Sequence, residues 1–220
     1  MAVLTWDQVG EREYETGVDH GVLYVRASDG SYPEGVPWNG LTAVNESPTG
    51  AEANAQYADN IKYVNLVSAE EFEATIEAFM APLEFEECDG SAEVTDGLTI
   101  GQQPRKTFGF AYRTLIGNDT EGTEYGEKIH LVYGALAAPS EKGRATVNDT
   151  PEAMTLSWSI TTTPVPVTGF KPTAKLTINS TVATPTGYAA LKEALYGSAA
   201  EEAYLPLPDE VKTLLDTTGD

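Results

Sequence analysis

Met154, Leu156, Trp158 and Ile160 alternate with Thr155, Ser157, Ser159 and Thr161. That is the period of a strand with one buried and one wet face, and it predicts a strand over residues 152–163. Ile129, Leu131 and Tyr133 alternate with Lys128 and His130, and Phe108, Phe110 and Tyr112 fall on every second position before Gly117, Asn118 and Asp119 interrupt the run. These two segments predict neighbouring antiparallel strands joined by a polar hairpin loop. Similar but shorter patterns place strands at about 17–26, 41–46, 55–67 and 173–180. Residues 28–40, rich in Gly and Pro and carrying Trp38, read as a loop longer than a simple connection requires, which points to a contact role.

Glu70–Phe79 combines residues of good helix propensity with Phe72, Ala74, Ile76 and Ala78 on alternate positions, and the alternation favours a strand. A short helix is expected after Pro82, through Phe85 to Cys88, stopped by Asp89 and Gly90. Two further helices carry clear boundary signals. Tyr188–Tyr196 places Leu191 and Leu195 on one face ahead of Gly197, and Pro208–Asp216 opens on proline and carries Val211, Leu214 and Leu215 as an i, i+3, i+4 stripe. Between them, Leu205-Pro206-Leu207-Pro208 reads as an extended arm. No repeat or interdomain linker stands out, so the expected division is a β domain over 1–196 and a C-terminal arm with a short helix over 197–220.

Charge changes this picture. Against 13 Lys and Arg stand 34 Asp and Glu, a formal net of −21. Residues 1–100 hold most of it, with Arg12, Arg26 and Lys62 as their only cations. Such a field repels nucleic-acid phosphates and anionic lipid headgroups, which disfavours a tight nucleic-acid binder or a peripheral membrane protein. The single cysteine, Cys88, excludes an intrachain disulfide and a cysteine metal cage. No basic segment leading into an apolar stretch opens the chain, and no apolar run is long enough to span a bilayer, so a soluble protein made in the cytoplasm is expected.

Catalytic signatures are missing. His20 and His130 are the only histidines, and no His-Glu-x-x-His, nucleophile elbow, phosphate loop or dinucleotide turn occurs. Glu84, Glu86, Glu87 and Asp89 could supply the carboxylate pair of a glycoside hydrolase, but clusters arise by chance where acids are this abundant. Asp119, Glu121, Glu124 and Glu127 lack calcium-loop spacing and read as a solvated hairpin tip. No catalytic residue, cofactor site or metal site is therefore assigned, and the expectation is a protein that is not an enzyme.

The order of segments carries a further signal. The run YADNIKYVNLVSAEEFEATIEAF from Tyr57 to Phe79 is followed by GQQPRKTFGFAYRTLIGND, then by KIHLVYGALAAPSEK and TPEAMTLSWSITTTPV, which ends at Val165. Across most of the chain it resembles the major tail proteins, the tail tube subunits, of long-tailed (siphovirus-type) bacteriophages. The resemblance implies a mainly β tail tube fold: a β-sandwich or barrel with short flanking helices, one of them packed on its side, and a C-terminal helical arm. It also implies hexameric rings stacked into a tube through which double-stranded DNA leaves the capsid without sticking. Implied partners are copies of the chain itself, a tape measure protein, a tail terminator and tail-tip proteins, with no membrane. The implied location is the virion tail, with assembly in the host cytoplasm.

On that reading Glu71, Glu73 and Glu77, the polar face of one strand, are candidates for the lumen. An outer solvent face is their alternative. The loop over 28–40 and the arm over 197–220 supply candidate inter-subunit contacts: Tyr32, Trp38, Leu205 and Leu207. Two competing classes remain, a secreted β-sandwich ligand-binding module and the carboxylate-dependent glycoside hydrolase.

Overall fold

The computed structural model describes residues 3–147, 149–150 and 152–217; the ends of the two expected segments, 1–2 and 218–220, lie outside them. The chain is mainly β. Its strands are β1 (Glu13–Val25), β2 (Gly35–Trp38), β3 (Leu41–Glu46), β4 (Thr49–Gly50), β5 (Ala53–Ala58), β6 (Ile61–Val67), β7 (Glu70–Glu71) and β8 (Glu73–Ala78). They continue as β9 (Ala92–Thr95), β10 (Leu98–Ile100), β11 (Phe108–Asn118), β12 (Gly122–Ala137), β13 (Leu156–Thr162) and β14 (Lys175–Asn179), and two helices follow, α1 (Pro185–Tyr196) and α2 (Pro208–Leu215).

One sheet organises the molecule in the order β2-β1-β11-β12-β13-β8-β3, with β14 also paired to β12. The sheet curls until β3 approaches β1, where Leu41 crosses bare Gly21 at a distance no Cβ would allow. Inside the curl lies an aromatic core of Trp38, Phe85, Phe108, Phe110 and Trp158, closed by Ala74, Ile76 and Ala78 from β8. Trp38 meets Phe85, Phe110 and Trp158 at centroid separations of 4.6, 5.5 and 5.4 Å, the tilted and edge-on geometries that suit ring quadrupoles. A second core lies on the other side of β1, β11 and β12: Tyr24, Ala111, Ile129, Leu131 and Tyr133 are covered by Tyr188, Leu191 and Leu195 of α1 and Val211 of α2.

The central strands are thus buried on both faces, and β12 manages this by changing phase. Ile129, Leu131 and Tyr133 face the helices, whereas Val132, Ala135 and Ala137 face the aromatic core. The step from Val132 to Ala135 coincides with a register shift against β11, and Gly134 sits there at φ 58°. At the same point the partner of β12 changes: Lys128–Val132 pair with β14 and Ala135–Ala137 with β13. A side chain at Gly134 would collide with the Thr163 carbonyl oxygen, which marks the bulge as a glycine requirement.

Several expectations change in detail. The run over 55–67 is two strands around Asp59 and Asn60, both at positive φ (51° and 63°), because the chain reverses in a two-residue turn of the primed type. The segment expected as one strand over 70–79 is two, Glu70–Glu71 and Glu73–Ala78, interrupted at Phe72, and the expected alternation is realised in the second with Ala74, Ile76 and Ala78 inward. The helix expected through Cys88 is a 3₁₀ turn, Leu83–Phe85, and the predicted strand over 152–163 begins at Leu156. The loop over 28–40 contains edge strand β2, paired to β1.

The expected arm is docked rather than projecting. Leu205 N–H donates to the Tyr32 carbonyl at 3.0 Å, Tyr133 Oη donates to the Pro206 carbonyl at 2.8 Å, and Leu205 lies over Gly109, where a Cβ would have no room. The physical reason is the apolar content of Leu205, Pro206, Pro208 and Val211, all buried, which outweighs the freedom of an extended tail.

Replacing Gly134 with alanine is expected to cost about 3 kcal/mol or more of folding stability, from positive-φ strain plus the collision with Thr163. Urea denaturation of the variant against the parent measures it, and a loss below about 0.5 kcal/mol would show that the bulge does not require glycine.

Candidate functional site

β3 and β8 lead on beyond the curled sheet. The pairs Glu46↔Ala74, Thr49↔Glu71, Gly50↔Glu70, Ala53↔Val67 and Gln56↔Val64 keep one register outward, so Leu41–Ala78 forms a single antiparallel ribbon with its turn at Asp59 and Asn60. The part beyond Ser47 extends about 40 Å at strand rise. No residue of β6 is buried, and Tyr57, Ile61 and Tyr63 are 72%, 63% and 73% exposed. A two-stranded ribbon alone in water is marginally stable, and one carrying apolar side chains on its exposed surface is a ready interface. Reading 55–67 as one strand missed this feature. The signal was the Asp59-Asn60 pair, a turn dipeptide between two β-prone runs.

The candidate acids lie on this same ribbon. Register places Asn45, Thr49, Glu71, Glu73, Thr75 and Glu77 on one face, opposite the inward Ala74, Ile76 and Ala78. Glu73 and Glu77 are half-buried and Glu71 is exposed. Asn45 donates to Glu77 Oε1 at 3.1 Å and Thr49 to Glu73 Oε1 at 3.5 Å. Ser157 of β13 pairs with Glu77 and Thr161 with Glu73, so the wall around these carboxylates is uncharged and hydroxyl-rich.

The four candidate contact residues are not brought together on the surface. Tyr32, Trp38 and Leu205 are each 2% exposed, while Leu207 is 43% exposed. Tyr32 Oη accepts from Gly134 N–H at 2.9 Å, and Trp38 Nε1 donates to the Met80 carbonyl at 2.9 Å. These three side chains are spent on the chain's own interior. Proximity to glycine and proline suggested surface loops, but the large rings fill cavities over bare backbone.

Two charged clusters hold the frame. On the helix side, Arg113 of β11 donates from Nε and Nη2 to both Asp19 oxygens at 2.7 Å and from Nη1 to Glu127 at 2.6 Å; Glu127 also accepts from Lys192 of α1 at 2.8 Å. The Asp19 hydrogen bonds, reinforced by Glu127 against the cost of burial, raise the Arg113 pKa, and the same contact with Arg113 lowers that of Asp19. The network ties β1, β11, β12 and α1 together.

On the inner side, His130 stacks on Tyr112 at 4.6 Å and 9°. Its Nε2 lies 2.9 Å from Thr114 Oγ1 and 3.5 Å from Glu15, and its Nδ1 lies 3.4 Å from Thr177 Oγ1 and 4.0 Å from Glu46. Glu15 is paired with Lys128; Glu46 is paired with Lys175 and accepts from Tyr112. Burial is the chief influence on His130 and lowers its pKa; Lys175 adds to this and the two carboxylates oppose it. Burial works to raise Glu15 and Glu46, but their lysine and hydroxyl partners leave both below the ordinary carboxylate range.

Among the described residues, the carboxyl groups with displaced pKa values, Glu15, Asp19, Asp29, Glu46, Glu127 and Asp209, are all lowered. The buried thiol of Cys88 is pushed up to about 12, chiefly by desolvation, so it is an unreactive core group.

No protein-family model and no curated protein matches the sequence. Two solved structures are similar in part. A chain of the sheath-tube complex of an extracellular contractile injection system (PVC) in the extended state has a TM-score of 0.32 at 13% identity, over 72% of this chain and 88% of that one. A chain of the sheath/tube terminator of a PVC extracellular contractile injection system, extended state, has a TM-score of 0.30 at 12% identity, over 80% and 99%.

Arg113→Met is expected to lower stability by about 2 kcal/mol, below the full buried-pair scale because the guanidinium remains 18% exposed. Amide exchange should speed up first in α1, and unchanged α1 protection would sever the proposed tie. For His130, a folded pKa below the unfolded value of 6.5 means that the neutral form is favoured by folding. Its contribution is complete above that value and falls away as pH drops from it through the lower folded pKa. The melting temperature of the parent should therefore fall more steeply between about pH 7 and 5 than that of His130→Gln, and parallel curves would contradict this.

Proposed function

We propose that this chain is the structural subunit of a phage tail tube, a major tail protein that assembles into stacked hexameric rings and conducts double-stranded DNA during ejection. The observation that carries the proposal is the ribbon Leu41–Ala78: its outer part exposes Tyr57, Ile61 and Tyr63 and makes its ladder only with itself, an arrangement that becomes favourable when a neighbouring subunit covers it. The sequence resemblance over Tyr57–Val165 supplies the identity of the assembly.

The charge fits a conduit. Six copies carry about −126 before counterions, and basic walls would hold DNA by counterion release, whereas an acidic wall leaves it free to slide. Glu71, Glu73 and Glu77, on one face of the ribbon and barrel wall, are the proposed lumen acids. Tape measure, terminator and tail-tip proteins are the proposed partners, and the virion tail, filled by assembly in the host cytoplasm, is the proposed location. The proposed role is non-enzymatic. Among the expected contact residues, Leu207 alone keeps an exposed side chain, and the ribbon takes the place of Tyr32, Trp38 and Leu205 as the principal contact.

Negative-stain microscopy of concentrated protein is expected to show uniform rings or tubes. The triple variant Tyr57→Asp, Ile61→Asp, Tyr63→Asp should lose them while keeping its melting temperature, since these side chains lie outside both cores. A parent protein that stays monomeric at every salt and protein concentration, with or without a tail-tip complex, would overturn the proposal, and a reconstruction with the three glutamates on the outside would overturn the lumen assignment.

A further inference from the structure

The ladder between β1 and β2 ends beside a strained histidine. Its last pair is Gly21↔Trp38, so His20 and Asn39 occupy facing positions one step past the ladder. Both line a cavity of about 530 Å³, together with Gly40. His20 sits at φ 49°, a left-handed conformation that strains a residue carrying a Cβ. Its ring is held all the same: Nδ1 lies 3.0 Å from Asp19 Oδ1, and the ring packs against Tyr196 at a centroid separation of 5.8 Å. Asp19 in turn is kept ionised by Arg113. A carboxylate only accepts hydrogen bonds, so His20 Nδ1 carries the proton and Nε2 keeps its lone pair.

Asn39-Gly40 is the only Asn-Gly pair in the chain. Glycine has no side chain to crowd the approach of its own nitrogen to the preceding amide, so this pair closes to a cyclic imide more readily than pairs whose second residue is larger. Both residues are exposed. Among the described residues the Asn39 amide makes no hydrogen bond, and Gly40 N–H, at φ 78°, donates to no acceptor. Other asparagines are tied. Asn118 Oδ1 accepts from the Thr120 and Glu121 N–H groups, Asn179 Oδ1 accepts from Thr181 N–H, and Asn45 Nδ2 donates to Glu77.

We propose that Asn39 is a site of self-modification, converted to aspartate and isoaspartate with His20 as the base. The Gly40 nitrogen gives its proton to His20 Nε2, directly or through a water in the cavity, and attacks Asn39 Cγ. The N–Cγ bond forms, the Cγ–Nδ2 bond breaks, and Nδ2 leaves as ammonia with the proton returned by the imidazolium. Water then opens the ring at either carbonyl, and no oxidant or reductant takes part. Either product adds a negative charge beside Asp19. Isoaspartate also adds one carbon to the main chain between Trp38 and Leu41. Both flanks of that turn are fixed, Trp38 by its bond to the Met80 carbonyl and Leu41 by its crossing over Gly21, so the added length strains the closure of the curl.

The inference is independent of the tube reading. Its test incubates the full-length folded chain at mildly alkaline pH and follows each asparagine by peptide mapping with mass spectrometry. Conversion is expected at Asn39 ahead of every other asparagine, and converted protein should melt below fresh protein. His20→Gly, which suits the positive φ, should slow conversion about tenfold or more, and imidazole added to the buffer should restore part of the rate. In urea, where the fold holds neither residue, parent and variant should convert alike. Folded parent that keeps Asn39 intact while unfolded parent converts overturns the site, as does conversion led by Asn54, Asn60 or Asn65. His20→Gly that converts as fast as the parent, or a slow variant that imidazole leaves slow, overturns the role of His20. Converted protein that melts with fresh protein overturns the strained closure.

Discussion

Everything in this molecule depends on β12 being able to bury both of its faces. A regular strand sends alternate side chains to opposite sides, but the core inside the curl and the core under the helices are not aligned along its length. The bulge at Gly134 shifts the phase once, so Ile129, Leu131 and Tyr133 serve the helices and Ala135 and Ala137 serve the aromatic core. The same residue is where β14 gives way to β13 as the neighbour of β12. Without the shift, one of the two cores would lose its central strand.

From that constraint the rest follows in order. β13 carries the sheet around to β8 and β3, which closes the curl over Trp38, Phe85 and Trp158. The helices and the C-terminal segment cover the other face, and Arg113 locks α1 to β1 and β12 through carboxylates on either side. With both sheet faces covered around the centre, the outer half of the ribbon Leu41–Ala78 lies outside both cores, as does the small β9–β10 hairpin.

Acidity plays two separate parts. Glu15, Asp19, Glu46 and Glu127 are structural: each has a cationic partner and a lowered pKa. Glu71, Glu73 and Glu77 have hydroxyl and amide neighbours, and among the described residues no cation pairs with them. The first group consumes its charge inside the chain, and the second leaves it to act on whatever lies beyond the surface.

Period two along β8, β11 and β13, the stop of α1 at Gly197 and the start of α2 at Pro208 were legible because each depends on neighbours a few positions away, whereas α1 starts at Pro185, behind Thr184, and not at the expected Tyr188. The net charge, the single thiol and the missing catalytic spacing were equally local, and they set the class of protein expected. What alternation could not reveal was that 55–67 folds back at Asp59-Asn60, since a run of β-prone residues has the same composition whether it continues or turns. Nor could it show that Tyr32, Trp38 and Leu205 are interior. Their burial depends on bare backbone at Gly109 and Gly134 and on a Met80 carbonyl, groups far away in the chain that only the closed sheet brings within reach. The sequence by itself determined the elements and the sign of the surface. The tertiary structure decided which residues were left outside, because burial is a property of the assembled sheet and not of any segment within it.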